Sequence, residues 1–250
     1  MVLFPIIDEN GSATPVSAWT AIESRLKQPA SDYWLVTQPS HAALAGDLAT
    51  ALRDDLFGPI DPIVARSIAL HDAGWSMEDA EQIQRLRSHP KQKPASFLDA
   101  SSDRFLQAWT GSIDTAAKFA PIGGYLASRH FERLSLWTDQ KGEPQAEAFR
   151  KREKQRQQKL KTSLDRDEAA LERLVDALQF CDVLSLYLCC GSSRAVKFEK
   201  PAITLTRNGD EYRLDPSPFR ESKQFSFSAL RHPVLDSKKG QSGATFYINL

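Results

Sequence analysis

Cysteine is scarce in this 250-residue chain: there are three, Cys181, Cys189 and Cys190, all in one apolar, helix-like segment. Cysteines crowded in this way make no disulfide framework, so the expectation is a reduced protein of the cytoplasm, with the thiols acting as small apolar groups. Long hydrophobic runs are missing too, since none approaches the roughly 20 residues that cross a bilayer. The opening residues, MVLFPIIDENGS, have no basic leader, and Pro5 and Asp8 cut their apolar run, which is unlike a signal peptide. Nor is there an excess of either charge: Lys plus Arg and Asp plus Glu balance at 32 each. No whole-chain field therefore draws the protein to nucleic acid or to an anionic membrane, and an anionic ligand must be held locally. No Walker-type sequence occurs, Gly123-Gly124 belongs to no phosphate-binding glycine loop, and no internal repeat is evident.

What is present divides into a helical stretch and a β-rich tail. Val2 to Ile7 reads as a short edge strand with a turn at Asn10-Gly11, and Val16, Trp19, Ile22 and Leu26 recur at helical spacing between Pro15 and Lys27. Pro39 suits the first turn of a helix that places His41 in that turn and continues from Ala42 to Leu56. Asp61 and Pro62 open another helix, with Gly74 as its stop and His71 and Asp72 at its buried end. Residues Ser76 to Ser102 are polar and weakly periodic, which predicts a long connection, with room for one helical turn, of the kind that covers a site. A helix from Asp103 to Phe119, a break at Pro121, and a helix from Ile122 to Trp137 that carries His130 come next. The basic run KREKQRQQKLK is read as a solvated helix face, and DEAALERLVDALQFCDVLSLYLCC as a long apolar helix holding Asp182. ITLTRNGDEYRL then reads as two short strands joined around Asn208-Gly209, and QFSFSAL and ATFYINL read as further strands. The predicted division is a helical domain over residues 1–194 and a small β-rich appendage over 195–250.

Ionisable side chains in apolar helices need an explanation, because an unpaired buried carboxylate or imidazole costs several kcal/mol. Asp182 stands among Phe180, Val183, Leu184 and Leu186 and must be neutralised by a cation, a histidine or helix amides. His71 and Asp72 pose the same problem at the end of SIALHDAGW, and together with His41 they form a set of imidazoles and carboxylates suited to a divalent ion. Each residue also has a purely structural alternative. Asp72 could cap loop amides, Asp182 could satisfy a histidine, His41 could bond locally in its helix, and His130 could be a core histidine.

The order His41, then His71-Asp72, then Asp182, each on its own helix, resembles the H…HD…D signature of the HD superfamily of metal-dependent phosphohydrolases. The pieces QPSHAALAGDLA, IALHDAGW and GYLASRHFERL look closer still to a branch of uncharacterised function, and the likeness covers roughly residues 33 to 190. The resemblance implies a mainly α, HD-like helical bundle. To it would be added a small β-sheet from the C-terminal region, with or without the N-terminal strand. It further implies one or two divalent ions (Mn, Fe, Mg, Zn or Ni) on His41, His71, Asp72 and Asp182, with His130 matching an additional histidine of two-metal members. His89, beside Pro90, is a further candidate for the second ion, and His232, beside Pro233, reads as a surface histidine.

The function expected on this basis is hydrolysis of a phosphate ester, of a nucleotide or another small phosphorylated molecule, with Asp72 orienting or activating the attacking water. Lys118 and Arg129 are candidates to reach an anionic substrate or to be surface charges. Two other classes stay open at this level. One is oxygen chemistry at a di-iron centre, which metal analysis and electron paramagnetic resonance would separate. The other is a non-catalytic protein that binds a metal or ligand, which a thermal-shift screen would reveal as stabilised but inert.

Overall fold

The computed structural model describes residues 1–9, 14–137, 143–209, 211–233 and 243–250, so the turn expected at Asn10-Gly11 lies outside the described residues. Strand β1 (Val2–Pro5) is followed by β2 (Val16–Ser17) and helix α1 (Ala18–Leu26), whose first turn Ser17 caps by accepting from the Thr20 amide at 3.1 Å. Strand β3 (Tyr33–Val36) leads into α2 (Gln38–Ala51), with Thr37 as its cap and Pro39 in its first turn. The single helix expected as far as Leu56 is interrupted. Leu52 leaves it to bridge Phe219, and one further turn, α3 (Asp54–Phe57), follows. Strong helix formers here yield to a tertiary pairing.

Asp61 opens α4 (Pro62–Ala69) by accepting from the Val64 amide at 2.8 Å. Because α4 ends at Ala69, His71 and Asp72 lie in the turn beyond it rather than inside the helix, and a 3-10 helix, Ala73–Trp75, comes next. The stretch expected as a long connection contains α5 (Ser76–Ser88) and a second 3-10 turn, Phe97–Asp99. Helix α5 escaped detection because it buries Asp79, Gln82 and Leu86, an inward stripe that is mostly polar and so carries no apolar signature.

Four longer helices complete this part: α6 (Ser102–Phe119), α7 (Pro121–Trp137), α8 (Pro144–Lys161) and α9 (Glu168–Cys189). The chain breaks at Pro121 as expected. Helix α8 buries only Ala146, Phe149, Glu153 and Gln157, which leaves most of the basic run in solvent. Helix α9 forms the spine of the core, with Leu171, Leu174, Val175, Leu178, Leu184 and Leu188 all buried, and it packs on α1, α2 and α7. No helix among the described residues is long and apolar enough to cross a membrane.

The remaining strands are β4 (Val196–Phe198), β5 (Ile203–Asn208), β6 (Glu211–Asp215), β7 (Gln224–His232) and β8 (Gly243–Asn249). They correct the expected fold. In place of a helical bundle with one small sheet there are two four-stranded sheets, ordered β1-β3-β7-β8 and β2-β4-β5-β6, set against the helices. Both sheets combine strands from the two ends of the chain: Leu35 of β3 pairs with Leu3 on one side and Leu230 on the other, and Val16 of β2 pairs with Val196. The edge of β7 away from β8 has backbone groups that must find partners, and β3 supplies them. Strands of two and three residues such as β2 and β4 are too short to show a period, which is why the second sheet was not legible.

All three cysteines are buried and free. Burial pushes the Cys190 thiol up to about 12 and raises Cys181 and Cys189 as well. With neither access nor thiolate, the native protein should leave all three thiols unmodified by a disulfide reagent near pH 8, and denaturant should release all three. Fast labelling of a thiol in the folded state would contradict this packing.

Candidate metal centre

Two glycines set the backbone of the site. In α2, a Cβ on Gly46 would stand 2.5 Å from the Ala69 Cβ and 2.9 Å from the Ala65 carbonyl oxygen. Only a missing side chain lets α2 lie this close to α4, and the contact brings His41 beside the turn that follows α4. Gly74 acts similarly rather than as a helix stop. Its φ is not positive, its amide donates to Ser112 Oγ of α6 at 2.9 Å, and a Cβ there would meet the Ala108 carbonyl oxygen at 2.0 Å. The turn carrying His71 and Asp72 is thereby pressed against α6.

From these supports three side chains converge. His41 Nε2 and His71 Nε2 each lie 3.2 Å from Asp182 Oδ1, and one ligand atom from each of the three residues falls within 4.8 Å of the others. Asp72 flanks the histidines, its Oδ2 being 3.6 Å from His41 Nε2 and 3.9 Å from His71 Nε2. His130 approaches from α7, with Nε2 3.5 Å from Asp182 Oδ2, yet neither of its ring nitrogens makes a hydrogen bond. The three imidazoles are at most 1 % exposed, whereas Asp72 and Asp182 keep 7 % and 6 %, so the centre meets solvent on its carboxylate side.

The electrostatics follow from burial opposed by pairing. Burial pushes the His71 imidazole down, but the charge of Asp72, the hydrogen bond and charge of Asp182, and the Ile68 carbonyl outweigh it and raise His71 to about 9. His71 Nδ1–H donates to that carbonyl at 2.8 Å, which leaves Nε2 as the nitrogen that faces the centre. Asp182 is also pushed up by burial, yet hydrogen bonds from His41 and His71 hold it well below the usual carboxylate range. Burial raises Asp72 and lowers His130 to about 3, so the His130 ring is neutral.

These donors suit a divalent cation. Neutral imidazole nitrogens and carboxylate oxygens are the ligands of such ions, and His130, buried with both nitrogens unpartnered, has a polar atom that the protein alone leaves unsatisfied. His41, His71 and Asp182 would hold the ion, and Asp72 and His130 stand next to these three side chains.

Other residues singled out in the sequence fall elsewhere. His89 is exposed at the end of α5, where Nδ1 donates to the Arg85 carbonyl at 3.2 Å, outside the cluster. His232 is buried rather than at the surface: β7 pairs it with Tyr33, and its Nε2 donates to the Gln92 carbonyl at 2.9 Å. Lys118 sits exposed in the last turn of α6, and Arg129 is engaged by Glu172 at 2.9 Å and Glu132 at 2.7 Å, so it is not poised to take an anionic substrate. One buried polar neighbour went unnoticed in the sequence. Asp79 of α5 accepts from the Gln38 amide at 2.6 Å and so holds the start of α2, the helix that carries His41. The signal for Asp79 was an acid near the start of a helix that the polar composition of α5 concealed.

The fold and site thus define an α and β protein with a buried histidine–carboxylate group that could hold a metal ion. Residues 26–231 match the model of the family described as "Protein of unknown function (DUF3891)", and the chain belongs to that family. All five clustered residues lie inside the matched segment. No curated protein and no solved structure matches the chain.

Proposed function

We propose that the cluster is a divalent-metal centre, holding one or two ions among Mn, Fe, Mg, Zn and Ni, and that the protein hydrolyses a phosphate ester of a small molecule, such as a nucleotide, in a reducing cytoplasm. The observation that carries this reading is the convergence of His41, His71 and Asp182 on one point, with Asp72 and His130 beside it, although these residues come from four separate segments. The H…HD…D order of the same residues adds support, and the free, buried cysteines favour the reducing compartment. A divalent ion in this place supplies Lewis acidity, lowering the pKa of a water molecule and stabilising charge on phosphate oxygens. The chain supplies the rest. The buried imidazoles fix the donor geometry and exclude solvent from one side. Asp72, at the partly open carboxylate side, orients the attacking water and takes its proton.

Asp72→Asn is the test of that role. It should keep its metal but lose about 10²–10⁴-fold in turnover, the range of a general base. The assay is release of inorganic phosphate from a panel of nucleotides and sugar phosphates by metal-loaded protein. Loaded protein that cleaves none of them would overturn the hydrolase reading while leaving the metal centre standing.

A further inference from the structure

His41 faces the centre through Nε2, and its other ring nitrogen, Nδ1, is buried without a partner. One turn earlier on α2, Gln38 has a buried side-chain oxygen, Oε1, that is likewise without a partner. The two orphans are complementary. An imidazole that offers the lone pair of Nε2 to a cation must carry its proton on Nδ1, which makes that nitrogen a donor, while an amide oxygen only accepts. Residues three apart share one face of a helix, with Cβ atoms about 5–6 Å apart. The start of the Gln38 side chain is fixed as well, since Asp79 holds the Gln38 backbone amide at 2.6 Å.

The opposite tautomer makes the same pair a conflict. If Nε2 keeps the proton and gives it to Asp182, Nδ1 becomes a bare acceptor and cannot take anything from Gln38 Oε1. We infer that Gln38 is a positioning residue that accepts the Nδ1–H of His41, directly or through one buried water, and so favours the tautomer able to ligate a cation. This rests on the metal reading above and assigns to Gln38 the role that partners outside the ligand set play in histidine–metal sites.

Zinc, being diamagnetic, is the probe, used with full-length protein carrying ¹⁵N-labelled histidine. In zinc-loaded wild type, His41 should show the Nδ1–H form with a slowly exchanging ring proton. Gln38→Met, similar in size but without the acceptor, should weaken zinc binding by about 10–100-fold and expose that proton to exchange. Gln38→Glu, which restores an acceptor, should recover the affinity. The melting temperature of metal-free Gln38→Met should stay near that of wild type, a result that a merely structural role would not produce. Unchanged zinc affinity and an unmoved His41 proton in Gln38→Met would overturn the role of Gln38 and leave the centre intact; a wild type that takes up no divalent ion would overturn both. Should Gln38→Met fail to fold, Gln38→Glu decides alone, because a His41 Nδ1 proton signal that does not shift in that variant overturns the proposal.

Discussion

On the metal reading proposed above, Asp182→Asn should abolish the binding of a divalent ion. Asp182 Oδ1 is the point on which His41 and His71 both converge at 3.2 Å, and its carboxylate would bring negative charge to a cation ligated by neutral imidazoles. An amide keeps the shape but removes the charge, and its NH2 group, if turned inward, opposes the ion. Metal analysis after dialysis should give a stoichiometric ion in wild type and background levels in the variant. The same loss should appear in stability. An ion that binds only the folded protein adds about 2.7 kcal/mol at a concentration 100 times its Kd, and this increment should vanish in Asp182→Asn. Asp182→Ala goes further, because it also leaves both histidines without their acceptor in metal-free protein, at a cost of about 3–5 kcal/mol of the kind seen when one member of a buried pair is deleted. Urea unfolding with and without chelator separates the two contributions. A variant that retains the ion at wild-type affinity would mean that Asp182 is a neighbour of the histidines and not a ligand.

The second large effect is expected at a residue with no chemistry of its own. Gly74→Ala places a methyl group 2.0 Å from the Ala108 carbonyl oxygen and 2.6 Å from the Ser112 backbone nitrogen, both of which are helix backbone in α6 and have little room to yield. Overpacking of this sort costs about 1–3 kcal/mol, and more where the obstacle is rigid backbone. The turn carrying His71 and Asp72 must then move off α6, so metal affinity should fall together with stability. Gly111→Ala is the matched control from the other side of the same crossing. Its Cβ would meet only the Gly74 Cα, at 3.4 Å, an ordinary contact, and alanine in a helix interior is favoured over glycine by up to about 1 kcal/mol. Chemical denaturation should therefore show Gly74→Ala clearly less stable than wild type and Gly111→Ala equal or slightly more stable. Equal stability for both variants would refute the close approach of the two segments.

The contrast between these glycines shows how much of the site local sequence could reveal. Gly74 was visible as a glycine after a run of helix formers, and a helix stop is the natural reading of that position. Its true constraint is set by α6, more than thirty residues further along, as the 38-residue span of the Gly74–Ser112 hydrogen bond shows. Helix α5 was lost for a related reason. Its buried side includes Asp79 and Gln82, which accept from the Gln38 amide and the Ala95 amide, so its inward face looks like solvent-facing sequence until the partners are known. His232 was misplaced because burial of a histidine next to a proline depends on the register of β7 against β3, and nothing within several residues of it encodes that register.

The sequence by itself determined the features that depend on neighbours a few residues away. These include the Asp61 cap and Pro62 start of α4, the break at Pro121, the long apolar α9, the strands β5 to β8, and the placing of His41, His71, Asp72, His130 and Asp182 in apolar surroundings where each needs a partner. Only the tertiary structure decided who those partners are. The contact between His41 and Asp182 closes over 141 residues, and the two sheets join strands from opposite ends of the chain. Helical periods and caps arise from interactions within one or two turns, whereas convergence at a site and the pairing of short strands are set by packing between elements, and that information is not written in any single stretch of residues.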